Sequence, residues 1–305
     1  WNLFKSRNEN LAIQMCQYIN ETSISNQIIE IHNRPYLVQV TKNNLKLNHN
    51  LCLFFHNDPL QMKGSRSIFE REKLLSITKK IFCVSEYIKT QFLKGIKDDF
   101  GKVIVLYNGV LRNSKKLPKK RKEIIFCGRL VEEKGVHLYV EAIKSVYEFA
   151  KKWKFSLIGS QKLGSLEQGR YSQNVIKKFK NIGSRVEITG YLSKEKVVTR
   201  MQKASIIVIP SIWEEPFGLV AAEAMANGIA IIASDVGGLP EIINSNGILI
   251  KNINTKKIAY HIKTLTSNDK LLSKYQNLAW KNFKFDSKKI SNLLDKERSK
   301  LLALF

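Results

Sequence analysis

The sequence predicts an α/β fold of two doubly wound domains, each built on a parallel sheet with helices on both faces. Its 305 residues suffice for two domains at roughly 100 to 200 residues each. Short β-rich runs alternate with helical patterns along most of the chain, which is typical of βαβ units. With 44% hydrophobic and 25% charged residues, the composition is that of a globular protein and excludes bulk disorder or a fibrous repeat.

Nine apolar runs are predicted to be the strands of these sheets. In chain order they cover residues 28–32, 51–56, 80–84, 103–107, 124–127, 155–158, 186–189, 206–209 and 229–233. Between the fourth and fifth runs, residues 113–122 contain six basic residues out of ten and a proline that breaks any helix. We therefore place a linker at 113–122, between a first domain at 1–112 and a second at 123–283. Residues 284–305 are predicted to form a helix that crosses back to the first domain.

The charge balance is unusual, because 51 Lys and Arg against 26 Asp and Glu leave a net charge of +25. Such an excess suits a polyanionic neighbour, either nucleic acid or an anionic membrane surface. An AT-rich genome would produce the same excess, since its codons favour Lys, Ile and Asn, so charge alone decides little. The longest notable uncharged stretch, 224–234, is far shorter than the roughly 18 apolar residues of a spanning helix.

The four cysteines are Cys16, Cys52, Cys83 and Cys127, and no two of them form a C-x-x-C pair. Three of them lie inside apolar, strand-like runs. They are therefore predicted to be buried thiols in a reducing cytosol rather than disulfides or zinc ligands.

The richest segment for chemistry, residues 211–228, reads S-I-W-E-E-P-F-G-L-V-A-A-E-A-M-A-N-G. It follows a buried strand, and Gly218 opens an Ala-rich helix that stops at an Asn-Gly pair. The backbone N–H groups of Phe217, Gly218 and Leu219 are predicted to point outward at the helix N-terminus. That geometry suits a phosphate or an oxygen-rich sugar.

Two carboxylates, Glu215 and Glu223, lie eight positions apart in this segment. The first is in the turn and the second is just over one turn into the helix, so both are expected at one mouth of the sheet. The alternative is that they are acids on a solvated face that stabilise the helix dipole.

A second constellation, F-C-G-R-L-V-E-E-K-G at residues 126–135, again leads from a strand through a loop to a helix. Arg129 and Lys134 place two cations at the carboxyl end of the first strand of the second domain. Two fixed cations at such a place suit an anionic ligand, and no D-x-D metal motif is present. The alternative is surface salt bridging with Glu132 or Glu133.

Weaker signals follow other strands. Gly190 and Tyr191 end one strand of the second domain, where doubly wound sheets bind ligands, although ordinary turns also have glycine there. His32 and His56 end two strands of the first domain, each before an Asn turn. A histidine on an apolar run is often structural, and that alternative stays open for both.

Together, Glu215-x7-Glu223, the surrounding P-S-x-W-E-E-P-F-G run and the following A-S-D-V-G-G-L-P-E-I resemble the retaining family 4 glycosyltransferases of GT-B fold, also called glycosyl transferases group 1. The resemblance covers about residues 28–283 and implies two domains that face a cleft. The family pattern begins with a strand and a Gly-rich loop that nothing before Ile28 supplies. The first domain is therefore expected to be incomplete.

The resemblance also implies roles for the candidate residues. Glu215 would contact hydroxyls of the donor sugar, and Glu223 would bind the nucleotide ribose. Arg129 and Lys134 would bind the pyrophosphate, and the backbone near Gly190 and Tyr191 would contact the nucleobase. In the first domain the resemblance favours His56 beside the reacting carbon, with His32 as second choice and Asp58 as a polar neighbour. Ser85 and Asn108 match positions at the cleft, although Ser85 is equally well explained as a helix N-cap.

The resulting expectation is a retaining, metal-independent hexosyltransferase without a cofactor. It would move a sugar from a nucleotide diphosphate donor to a hydroxyl of a cell-envelope or lipopolysaccharide glycan or glycolipid. It would be cytoplasmic or peripheral on the inner face of the plasma membrane, with a basic patch against anionic lipids; the patch consists of Lys63, Arg66, Arg71 and Lys73. The alternatives are a GT-B phosphorylase or epimerase that needs no glycan acceptor and a nucleic-acid-binding protein, the latter supported by charge alone.

Overall fold

The computed structural model describes residues 6–161 and 169–303. The chain divides into two compact units: unit 1 comprises Trp1–Gly109 and Lys288–Phe305, and unit 2 comprises Val110–Ser287. Each unit is an α/β structure on a parallel sheet, which confirms the fold class predicted from the alternation of strands and helices.

Unit 1 has a parallel sheet in the order β1-β2-β3-β4. Its strands are β1 (Ile28–His32), β2 (Asn50–Phe55), β3 (Lys80–Cys83) and β4 (Val103–Val105). The helices are α1 (Arg7–Glu21), α2 (Pro35–Asn44), α3 (Ile68–Ile77) and α4 (Glu86–Leu93). Strand β2 is buried along its whole length, as expected for an inner strand of a parallel sheet with both faces covered.

Unit 2 has a parallel sheet in the order β10-β9-β8-β5-β6-β7. Its strands are β5 (Arg121–Cys127), β6 (Lys154–Ile158), β7 (Val186–Gly190), β8 (Ala204–Ile209), β9 (Ala230–Ser234) and β10 (Ile248–Ile250). The helices are α5 (Val136–Val146), α6 (Arg170–Lys180), α7 (Lys194–Lys203), α8 (Leu219–Ala226), α9 (Leu239–Ile243), α10 (Thr255–Ser267) and α11 (Asp269–Lys281). Every residue of β8 and β9 is buried, so their side chains need no alternation of polar and apolar types.

The C-terminal helix α12 (Ser287–Leu302) packs within unit 1. Its Leu301 joins an apolar cluster with Phe54 and Phe82 on one face of the unit 1 sheet. Residues 304 and 305 of the expected helix lie outside the described residues.

The structure differs from the sequence expectation at two places in unit 2. Strand β10 was not expected, because three residues are too few for a recognisable pattern. Strand β5 begins at Arg121, inside the predicted linker 113–122. Just before it, Lys120 donates hydrogen bonds to the carbonyl groups of Met201, Gln202 and Asn227. Burial lowers the pKa of Lys120 to about 7, so the end of the basic segment is part of unit 2 rather than a solvated spacer.

All four cysteines are free thiols, as expected, with Cys127 only partly buried. Among the described helices, none combines the length and apolar character needed to cross a bilayer.

Candidate functional site

The carboxyl ends of β5, β6 and β7 are joined by backbone hydrogen bonds beyond the sheet ladder. Gly128 N–H donates to the carbonyl of Ile158 at 3.0 Å, and Gly159 N–H donates to the carbonyl of Gly190 at 3.0 Å. The described residues at the ends of these strands are therefore held side by side at one edge of the unit 2 sheet, where doubly wound sheets bind ligands.

The loop after β5 is fastened to the end of β8 at Gly135. This residue has φ +64°, and a Cβ there would lie 1.8 Å from the carbonyl oxygen of Pro210. Ile212 N–H donates to the carbonyl of Glu133 at 3.0 Å. The two segments that the sequence marks as functional, 126–135 and 211–218, therefore lie against each other.

This contact brings Lys134 and Glu215 together. Lys134 Nζ and Ser211 Oγ each lie 2.6 Å from Glu215 Oε1, and Glu215 is only 8% exposed. The cation also lies over the ring of Trp213, 5.1 Å from its centroid. Among the described residues, none donates a hydrogen bond to Oε2, which leaves that oxygen able to accept one from a ligand.

A cavity of about 130 Å³ opens at this pair. Besides Lys134, Ser211 and Glu215, it is lined by Phe126, Cys127, Gly128, Ile209, Gly218, Leu219 and Val220. Gly218 caps α8 with φ +93°, so the cavity lies at the N-terminus of that helix and combines a cation, a carboxylate and the positive end of a helix dipole.

The three residues predicted to offer backbone N–H groups differ in position. Gly218 and Leu219 line the cavity. Phe217 is buried, and its ring packs edge-on against Phe285 at 5.6 Å. Phe217 therefore anchors the turn in the core of unit 2 through its side chain.

Glu223 is partly buried on α8, and no described residue donates a hydrogen bond to its carboxylate. Burial raises its pKa, an effect opposed by the charge of Lys194. Burial and the nearby Glu223 charge together raise the pKa of Cys127 to about 12, which places Glu223 close to the end of β5. A partly buried carboxylate without a donor is destabilising and is a candidate binding group.

Arg129 is exposed and forms an ion pair with Glu133, with 2.5 Å between Nη2 and Oε1. This is the salt bridge that the sequence allowed as an alternative. Gly190 has φ +66° with open space where a Cβ would be, and Tyr191 is 44% exposed. None of these three residues lines the cavity at Lys134.

In unit 1, His32 and His56 contact each other. His32 Nδ1 lies 3.1 Å from His56 Nε2, so the strand ends bring both candidates to one place. Asn33 Oδ1 accepts hydrogen bonds from the backbone N–H groups of His56 and Asn57. Burial, and then the charge of His32, lower the pKa of His56.

The other unit 1 candidates have local roles. Ser85 Oγ accepts a hydrogen bond from Ile88 N–H and caps α4, the alternative that the sequence left open. Asp58 accepts from Leu60 N–H at the start of a short turn. Asn108 is partly buried and follows the end of β4 by three residues.

The predicted basic patch loses one member in the structure. Arg71 is only 2% exposed, and its guanidinium donates to the carbonyl groups of Ser65, Arg66 and Lys94. It holds the start of α3 in place and cannot contact a lipid headgroup, so this part of the prediction is wrong. Lys63, Arg66 and Lys73 are exposed.

Sequence reasoning missed Ser211 and Asn33. Ser211 precedes Glu215 by four positions, but nothing in that spacing reveals that its hydroxyl bonds the carboxylate. Asn33 follows β1 with φ +56°, a conformation for which Asn is suited. Its place before a proline turn was the signal available in the sequence.

The two α/β units, each on a parallel sheet, have the architecture of GT-B glycosyltransferases of known structure. The family model described as Glycosyl transferases group 1 matches residues 109–281. The chain belongs to this family.

Its relatives include an uncharacterized glycosyltransferase of Methanocaldococcus jannaschii, 33% identical over 267 residues that cover 83% of this chain and 71% of that protein. The lipopolysaccharide 1,2-N-acetylglucosaminetransferase of Salmonella typhimurium is 27% identical over 164 residues, 53% of this chain and 40% of that protein. This chain thus spans less than half the length of the Salmonella enzyme.

Among solved structures, Anabaena HepE in complex with UDP matches with a TM-score of 0.73 at 19% identity, over 95% of this chain and 82% of that chain. Its complex with UDP-glucose matches with a TM-score of 0.70 at 19% identity over the same shares, 95% and 82%. At this identity the likeness establishes the fold.

Proposed function

We propose that this chain is a retaining hexosyltransferase that moves a sugar from a nucleotide diphosphate sugar to a hydroxyl of a cell-envelope glycan or glycolipid. The observation that carries the proposal is the Lys134–Glu215 pair, 2.6 Å between Nζ and Oε1, at the N-terminus of α8. A cation and a helix N-terminus suit a phosphate, and the free Glu215 Oε2 suits a sugar hydroxyl.

In the proposed site each residue binds one part of the donor. Lys134 binds the pyrophosphate with a remaining N–H while it still holds Glu215, since an ammonium group has three donors. Arg129 joins it by exchanging Glu133 for phosphate, which costs little because an exposed ion pair contributes only about 0–1 kcal/mol. Glu223 accepts the ribose hydroxyls, and the backbone at Gly190 and Tyr191 contacts the base.

The proposed reaction breaks the bond between the anomeric carbon and the phosphate oxygen, which keeps the electron pair. The acceptor oxygen forms the new bond on the same face, and its proton passes to the departing phosphate. Lys134 and Arg129 stabilise the charge that develops there. Glu215, His56 and Asn108 orient the sugar and the acceptor, and no residue of the site acts as a covalent nucleophile in this scheme.

A thermal-shift screen against UDP-, GDP- and ADP-sugars tests the donor assignment. We expect one nucleotide series to raise the melting temperature of the full chain. Lys134→Met should abolish the shift, whereas Lys144→Met, an exposed lysine in the last turn of α5, should retain it. An absence of any shift, or equal losses in both variants, would contradict the assignment. With an active donor, NMR of the product tests whether the anomeric configuration is retained.

We also propose that the protein associates peripherally with the cytoplasmic face of an anionic membrane through the start of α3. Lys63 and Arg66 are exposed before α3 and Lys73 is exposed on it, as is Phe69, at 73%. A basic residue near an anionic surface contributes about 1 kcal/mol, and an exposed aromatic ring adds apolar contact.

Co-sedimentation with vesicles of neutral or anionic lipid tests this surface. Replacing Lys63, Arg66 and Lys73 by Gln should reduce binding to anionic vesicles, and salt should do the same. A control that replaces the exposed Lys144, Lys178 and Lys180 of unit 2 removes the same charge. Equal loss in both triple variants would attribute binding to total charge and exclude this surface.

A further inference from the structure

The unit 1 sheet holds three aromatic rings in a row on the face covered by α12. Strand pairing sets His32 opposite Phe54 and Phe54 opposite Phe82. The rings stack with centroid distances of 4.2 Å and 4.4 Å. Because these residues are direct cross-strand partners, the sheet register places the His32 ring against Phe54, on which it stacks with an interplanar angle of 15°.

In this stacked position, His32 directs its two nitrogens at different groups. Nδ1 lies 3.1 Å from His56 Nε2, and Nε2 lies 3.9 Å from Glu30 Oε2. His56 is the first residue after β2, two positions beyond Phe54, and its ring centroid lies 5.4 Å from that of His32.

Glu30 is itself held in place from α12. Arg298 donates from Nε to Oε1 and from Nη2 to Oε2, each at 2.8 Å. This bidentate geometry is the strong form of an arginine–carboxylate pair. The carboxylate therefore keeps its position below the His32 ring.

The contact between the two imidazoles needs one N–H and one lone pair. The negative charge of Glu30 favours a proton on the His32 nitrogen that faces it, Nε2. A neutral His32 then presents a lone pair at Nδ1, and His56 donates its Nε2 proton into it. The second nitrogen of His56, Nδ1, is left without a proton.

We propose that His32 is a positioning residue that fixes the ring orientation and the Nε2–H tautomer of His56, rather than a residue that touches the donor. Glu30 and Arg298 extend this support to α12. The catalytic meaning of the arrangement rests on the proposed function, in which His56 orients the sugar. The proposed tautomers of His32 and His56 do not depend on that function.

The tautomer of His56 is read from two-bond nitrogen–proton correlations of the imidazole in full-length, nitrogen-15-labelled protein. In the parent chain at neutral pH we expect the Nε2–H pattern. His32→Phe retains a ring to stack on Phe54 but removes the acceptor, so the His56 signals should change to a tautomer mixture. His32→Asn places an amide oxygen near the former Nδ1 and should restore the parent pattern. His261→Phe, on α10 in unit 2, is the control and should leave the His56 signals unchanged.

The kinetic readout is release of UDP from UDP-glucose. His32→Phe should lower kcat by roughly 10- to 100-fold, the scale of a misplaced orienting group. KM should not change, and His32→Asn should recover part of the loss. A loss confined to KM would mean that His32 contacts the donor and would overturn the proposal.

An unchanged Nε2–H pattern in His32→Phe, or an Nδ1–H pattern in the parent chain, would also overturn it. If His32→Phe does not fold, the parent spectrum and His32→Asn decide the question. If the parent chain releases no nucleoside diphosphate from UDP-glucose or from GDP- and ADP-sugars, the proposed function loses support, while the spectra still decide whether His32 sets the tautomer.

Discussion

Units 1 and 2 hold polar side chains at the ends of their strands by different means. In unit 2, Lys134 and Glu215 form an ion pair that neutralises two partly buried charges. In unit 1, the imidazole rings of His32 and His56 are held by stacking and by a contact of 3.1 Å between His32 Nδ1 and His56 Nε2. Fixed charges suit a diphosphate and imidazoles suit sugar hydroxyls, so we assign different ligand groups to the two places.

The two units also depend differently on the backbone. The unit 2 site requires close approach between loops, which only glycine permits at Gly135. The unit 1 pair depends on the sheet register, which sets His32 beside Phe54, and on Asn33, which accepts a hydrogen bond from the backbone N–H of His56. Substitutions should therefore lower the free energy of unfolding more at the unit 2 loops than at the histidine pair of unit 1.

The largest expected effect is on the loop contact of unit 2. Gly135→Ala should destabilise the protein by more than about 4 kcal/mol, the range of exceptional mutations, because its Cβ would meet the Pro210 oxygen at 1.8 Å. Gly190→Ala is the matched control, with nearly the same φ of +66° but open space. It should lose only about 1–2 kcal/mol. Denaturant unfolding measures both, and equal losses would show that the loop contact is not rigid.

The next effect concerns the ion pair. Lys134→Met should weaken nucleotide diphosphate binding by about 1.5–3 kcal/mol, the scale of a charge-assisted hydrogen bond. It should also lower the free energy of unfolding, because Glu215 keeps a largely buried charge with Ser211 alone as donor. The double variant Lys134→Met/Glu215→Gln should regain stability but not binding. If stability stays low in the double variant, the pair is not the source of the loss.

Much of this arrangement was accessible from the sequence. The strand runs and the glycine turns indicated that Lys134 and Glu215 follow strands of one sheet and that His56 follows a strand of the other, because loops follow the carboxyl ends of parallel strands. The sequence did not predict which side chains and carbonyl groups these residues contact. That Lys134 contacts Glu215 depends on the docking of two loops 81 positions apart, and that Arg71 is buried depends on carbonyl groups from two segments.

Glu223→Gln should produce opposite changes in stability and binding. Burial raises the pKa of Glu223, so the folded state binds more protons than the unfolded state. Its contribution to stability is therefore present below the unfolded pKa near 4.5 and is lost as pH rises through the folded pKa. At pH 7 the variant should be more stable by roughly 0.5–2 kcal/mol and bind the nucleotide less tightly. Thermal unfolding and calorimetry check this, and a destabilised variant would point to a structural role for Glu223.

The smallest effect is expected from His56 in unit 1. Its pKa is lowered in the folded state, so the unfolded state binds more protons just below pH 6.5 and stability falls as pH drops through that range. His56→Gln should remove part of this fall. His49 and His261 have lowered pKa values as well. The test therefore compares how far the free energy of unfolding falls from pH 7 to pH 5 in the parent and in the variant. If the free energy of unfolding depends on pH in the same way in both proteins, His56 does not contribute to the pH dependence.

In the proposed function the donor nucleotide binds to unit 2, at the carboxyl edge of its sheet. Titration calorimetry of the full chain with UDP, GDP and ADP tests it most directly, with Lys134→Met and His56→Gln measured beside the parent. We expect one nucleotide to bind the parent, Lys134→Met to lose about tenfold or more in affinity, and His56→Gln to bind like the parent. Binding that survives Lys134→Met but is lost in His56→Gln, or no binding of any nucleotide to the parent, would contradict it.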